Sequence, residues 1–113
     1  MKNVSNGGGD CYAVAGRFAL EKLRADDIDE YRLVHAMVTG RGPISGVRYG
    51  HAWIMENNYV IDKANGLDLV MDSNVYHLLG NVNTNNLDEY KSYTVRAACD
   101  KMLKTGNFGP WED

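Results

Sequence analysis

The sequence predicts an α+β fold, with an N-terminal helix and a C-terminal helix on a small antiparallel sheet. Three observations predict it. Val14, Ala15, Phe18 and Leu23 recur at helical spacing over residues 11–24. Two strand-like runs, Val47 to Met55 and Tyr59 to Lys63, flank Asn57-Asn58, and asparagine tolerates the positive φ of a two-residue hairpin turn. Thr94 and Gly106 bracket a last helix over about 95–104, as an N-cap and a C-terminal stop.

The elements follow in order. Residues 3–10 are polar and glycine-rich and read as a loop. Asp10 is placed to cap the first helix, which carries Cys11 in its first turn. Gly16 inside that helix costs about 1 kcal/mol against alanine, so a close helix–sheet contact is expected there. The acidic run Asp26-Asp27-Ile28-Asp29-Glu30 reads as a solvated turn or helix start. Tyr31 to Thr39 is β-branched enough for a strand, with a helix from Asp27 as the alternative. Gly40 to Gly46 is a loop, either a plain connection or a flap beside His51; it lacks the spacing of a phosphate loop. Leu67 to Met71 reads as a further strand of the meander. A short helix over about 74–80 follows, capped by Asp72 or Ser73 and ended by Gly80. Residues 87–93 suggest an edge strand, and Trp111 is expected to pack back onto the body.

Composition narrows the function classes. The chain has 113 residues, 44% of them apolar, which suits one domain over 1–113. The formal net charge is −3, with no Lys/Arg run, so a nucleic-acid partner is not expected. No apolar run approaches membrane-spanning length, and MKNVSNGGG has no apolar signal region. A cytoplasmic location is therefore expected, with Cys11 and Cys99 as free thiols. No CxxC or paired-histidine motif suggests a structural metal, and no cofactor is expected.

Chemistry concentrates in three residues. Cys11 at a helix start, His51 in Gly50-His51-Ala52-Trp53 forty residues later, and Asp62 on the partner strand supply a nucleophile, a base and an orienter. With Asn57-Asn58 as the turn, Trp53 faces Asp62, and His51 is a diagonal neighbour of Asp62 on one face. A one-residue slip would separate them. The first-turn N–H groups and helix dipole favour a thiolate and can receive an oxyanion. Asn6, with Asn3 as an alternative, is a further candidate oxyanion donor. Tyr12, Trp53 and His35 are candidate pocket residues, each with a plain packing role as the alternative. His77 and Cys99 read as packing residues.

Gly9-Asp10-Cys11-Tyr12-Ala13 at a helix start, then Gly50-His51-Ala52-Trp53-Ile54 and Val60-Ile61-Asp62, resembles the papain-like superfamily in its transglutaminase-like branch. The LVH, TGxGP, GHAW and GPW segments are also similar to a family of small phage-encoded proteins. The resemblance implies a papain-like core, with Cys11 as nucleophile, His51 as general base and acid, and Asp62 as orienter. It implies a protein or peptide substrate, cleaved or transferred at an amide, isopeptide or thioester bond; for a phage protein the location would be the host cytoplasm. Two rivals stand beside it. One is a catalytically silent scaffold that binds a host protein through the aromatic tail and the glycine-rich loop. The other is a metal site built from Cys11, His51 and Asp62.

Overall fold

A computed structural model describes residues 10–40 and 45–111. Three helices and five strands alternate along the chain: α1 (Cys11–Lys22), β1 (Tyr31–Thr39), β2 (Arg48–Glu56), β3 (Tyr59–Asp62), β4 (Leu69–Asp72), α2 (Ser73–Leu79), β5 (Tyr90–Thr94) and α3 (Val95–Thr105). Short 3-10 turns at Ile28–Glu30 and Ala64–Gly66 join them. The strands form one antiparallel sheet in the order β4-β3-β2-β1-β5. The Asp27 helix alternative is thus reduced to a single 3-10 turn, and Tyr31–Thr39 becomes a nine-residue interior strand between β2 and β5.

The sheet is covered on both faces, and side-chain alternation sorts its residues between them. On one face, Cys11, Ala15 and Ala19 of α1 and Ala98 and Met102 of α3 pack against Leu33, Ala52, Ile54 and Ile61. On the other, Val34, Ala36, Val38, Trp53 and Val60 pack with Tyr76 of α2. Leu33 is fully buried. Cutting it to alanine would cost about 2–5 kcal/mol through lost transfer energy and the cavity left behind.

The hairpin adopts the expected register, with Ile54 opposite Ile61, Met55 opposite Val60 and Glu56 opposite Tyr59. Asn57 takes the positive φ of 52° that the tight turn requires. β3 ends at Asp62, so its ladder covers only the distal part of β2. This leaves a notch beside His51, next to the Ala64–Gly66 turn. The start of α1 lies against that turn, with the Asp10 carboxylate accepting from the Asn65 amide at 2.7 Å.

Two sequence expectations change here. Asp10 occupies the N-cap position, but its carboxylate bonds Asn65 and makes no cap hydrogen bond to α1. Gly16 marks a helix–helix contact rather than a helix–sheet one: a Cβ there would meet Phe108 at 2.5 Å and Met102 at 3.1 Å. The aromatic tail packs back onto the body as expected. Trp111 is buried, and its ring packs on His35 at 4.8 Å and Tyr93 at 5.3 Å. Of the flap suggested for Gly40 to Gly46, residues 41–44 lie outside the described residues. No helix among the described residues is long and apolar enough to cross a membrane.

Candidate active site

The hairpin brings His51 and Asp62 together as its register requires. The imidazole Nε2 lies 2.9 Å from Asp62 Oδ2. The same carboxylate oxygen accepts the Tyr76 hydroxyl of α2 at 2.7 Å, and Oδ1 accepts the Ala64 amide at 3.0 Å. Three donors from three segments therefore fix one buried carboxylate.

With Nε2–H directed at an acceptor-only carboxylate, a neutral ring carries its lone pair on Nδ1. Nδ1 is buried and makes no well-formed hydrogen bond of its own. Cys11 is close enough to the ring to help raise the imidazole's pKa. Cys11 and His51 approach the sheet from different sides: Cys11 belongs to the α1–α3 face, while His51 shares a face with Trp53. They meet at the notch where β3 stops. A void of about 10 Å³ there is lined by Cys11, Ala52, Trp53, Asp62 and Ala64.

The protonation equilibria follow from these contacts. Burial opposes a charged imidazole at His51, but the hydrogen bonds and charges of Asp62 and Cys11 outweigh it and push its pKa from 6.5 up to about 9. Burial also works against the Asp62 carboxylate, yet His51, the Tyr76 hydroxyl and the Ala64 amide hold it below the usual carboxylate range. Burial and the neighbouring Cys11 push Tyr12 up to about 12, so its hydroxyl stays a donor. Burial and Asp62 raise Tyr76 strongly, and Tyr49 is raised by burial and by Cys11 and Asp62.

The four substrate or oxyanion candidates fare differently. Tyr12 lies next to Cys11 in α1 and seats its hydroxyl on the β2 backbone; a Cβ at Gly50 would meet that hydroxyl at 2.5 Å. The glycine of the Gly50-His51 pair thus makes room for Tyr12. His35 lies between Tyr12 at 4.9 Å, Tyr93 and Trp111, and lines a cavity of about 530 Å³ beside Tyr12 and Gly50. Trp53 is 1% exposed and packs on Tyr76 at 5.0 Å, within the core on the α2 side of the sheet. Asn6, like Asn3, lies outside the described residues.

Two participants escaped the sequence reading. Tyr76 is fourteen residues from Asp62 on another element, and no local pattern joins them. Tyr49 stands two residues before His51, hence on the same strand face, with ring centroids 6.1 Å apart. That spacing was the available signal.

Cys11 is fully buried. Among the described residues, no group of three His, Cys, Asp or Glu side chains has a metal-holding arrangement. No family model, curated protein or solved structure matches the chain.

Proposed function

We propose that the protein is a thiol-dependent hydrolase or acyl-transferase with a papain-like core, most simply a small cysteine peptidase or amidase. The observation that carries this reading is one buried imidazole held at 2.9 Å by Asp62 through Nε2, with its Nδ1 left unpartnered and the Cys11 thiol near enough to shift its pKa. Supporting it, Asp10 gives its carboxylate to Asn65 and makes no side-chain cap on the first-turn N–H groups beside the thiol.

The chemistry follows from those positions. His51 Nδ1 takes the thiol proton, and the thiolate forms a bond to the carbonyl carbon of an amide, isopeptide or thioester. The carbonyl electron pair moves to oxygen, where first-turn N–H groups of α1 receive the charge. Collapse of this intermediate expels the amine or thiol, which takes the proton from His51, and leaves an acyl-cysteine. Water or an amine then attacks the acyl carbon with His51 again as base, and Cys11 departs as a thiol. Asp62 keeps the ring oriented and its cation stabilised throughout.

Full burial of Cys11 favours the second reading, a catalytically silent scaffold that binds a protein partner. One experiment separates the two. The folded protein is alkylated with iodoacetamide at neutral pH, and labelling of each cysteine is followed by peptide mass spectrometry. On the catalytic reading, Cys11 labels at least about tenfold faster than Cys99. That advantage disappears in His51→Ala. Equal rates at Cys11 and Cys99 would leave the scaffold reading standing and sink the catalytic one.

A further inference from the structure

Beside His51 and Asp62, on the α2 side of the sheet, lies a cavity of about 350 Å³. It is separate from the larger cavity at Tyr12 and His35, and Tyr49 lines both. Its hydrocarbon wall comes from Val38, Leu67, Leu69, Met71 and Leu79. Its polar lining is Thr39, Tyr49, His51, Asp62, Asn65 and Tyr76.

The only carboxylate in the lining already has its donors. Oδ2 of Asp62 takes His51 and Tyr76, and Oδ1 takes the Ala64 amide. Among the described residues, no Lys, Arg or Glu lines the cavity. A charged group entering it would lose its hydration, and the charged groups in the wall, His51 and Asp62, are already joined to each other at 2.9 Å. An aliphatic group would exchange water for hydrocarbon contact. An apolar pocket that converges on a few polar groups is the general form of a small-ligand site. The larger cavity differs, because Asp88, Glu89 and Lys91 line it and suit a polar part of a substrate.

We propose that the cavity beside His51 and Asp62 is a substrate subsite for an uncharged aliphatic group, a branched side chain or a short acyl chain, next to the carbonyl attacked by Cys11. The proposal rests on the thiol-hydrolase reading and adds the substrate class. His51 connects the two: one edge of its ring serves the thiol, and the residue itself forms part of the cavity wall.

The test uses iodoacetamides that differ only in the group on nitrogen: methyl, butyl, isobutyl, decyl, carboxyethyl and aminoethyl. Each rate at Cys11 is divided by the same reagent's rate with a small free thiol. The butyl and isobutyl reagents are expected to react about tenfold faster than the methyl reagent, from burial of the added carbons, and the two charged reagents slower. A rate that falls again at decyl identifies a side-chain-sized site; one that keeps rising identifies an acyl chain. Leu67→Asp places a charge at the exposed lip of the cavity and should abolish the aliphatic preference. Leu103→Asp, on exposed α3 away from this cavity, should retain it.

Fast Cys11 labelling with equal normalised rates for all six reagents would overturn the subsite and leave the catalytic thiol standing. Labelling of Cys11 no faster than Cys99 would remove the thiol reading and the subsite with it. The reagent series on the unsubstituted protein decides between these outcomes even if Leu67→Asp does not fold.

Discussion

α1 and α3 lie side by side on one face of the sheet, and each buries a cysteine there. Their surroundings differ in ways that matter for chemistry. Cys99 sits among hydrocarbon, and burial alone raises its thiol. Cys11 is buried more deeply, but it shares a small void with the Asp62 carboxylate beyond β3 and helps raise the His51 imidazole. The helix starts differ too. Thr94 spends its hydroxyl on the Ala97 amide of α3, whereas Asp10 turns away from α1 to bond Asn65. Burial by itself makes a thiol inert; a buried thiol gains chemistry from a base brought to it and from backbone donors left unspent.

The largest expected effect comes from removing the carboxylate that distinguishes the two sites. Asp62→Ala leaves a buried imidazole without its partner and should destabilise the fold by about 3–5 kcal/mol, read as a lower urea midpoint. Labelling of Cys11 should fall to the level of Cys99 in the same variant. A stable variant with undiminished Cys11 reactivity would mean that Asp62 is not the orienter.

The same pair predicts a pH signature. His51 is held at about 9 in the fold against 6.5 when unpaired. A raised pKa means that its contribution to stability is fully present below about pH 6.5 and is lost as pH rises through about 9. Asp62 is depressed, so its contribution is present above the ordinary carboxylate range and is lost as pH falls through its lowered value. Urea midpoints should therefore decline from neutral pH toward pH 9, and Asp62→Ala should flatten that decline. An identical slope in both proteins would contradict the assignment.

Tyr76→Phe removes one charge-assisted hydrogen bond and keeps the ring. It should cost about 1.5–3 kcal/mol and slow Cys11 alkylation while Cys99 is unaffected. Parallel loss at both cysteines would point to general loosening rather than to positioning of Asp62. The smallest effect is expected at the other helix. Thr94→Ala deletes the α3 cap, costs about 1 kcal/mol by thermal unfolding and leaves the Cys11-to-His51 coupling intact.

Much of the fold was legible because it rests on local rules. The boundaries of β1, the Asn57-Asn58 turn and the caps at Asp72 and Thr94 each follow from neighbours in the chain. The His51–Asp62 contact was legible for the same reason, since period-two alternation and a two-residue turn determine which side chains share a face. Tyr76 was not legible, because its meeting with Asp62 depends on how α2 folds back over the sheet. Asp10 and Gly16 were read by their local roles as cap and packing glycine. Tertiary partners, Asn65 for one and Phe108 for the other, redirected both.

The sequence by itself determined the order of elements, the hairpin register and hence the pairing of imidazole with carboxylate. Backbone geometry carries that information across a few residues. Only the tertiary structure decided that Cys11 meets the same imidazole from the opposite side of the sheet. That depends on where β3 ends and on how the start of α1 settles against the Ala64–Gly66 turn. The depth of burial of Cys11 and the aliphatic cavity beside His51 were decided there as well. Each arises from the packing of segments distant in the chain, which no short window of sequence encodes.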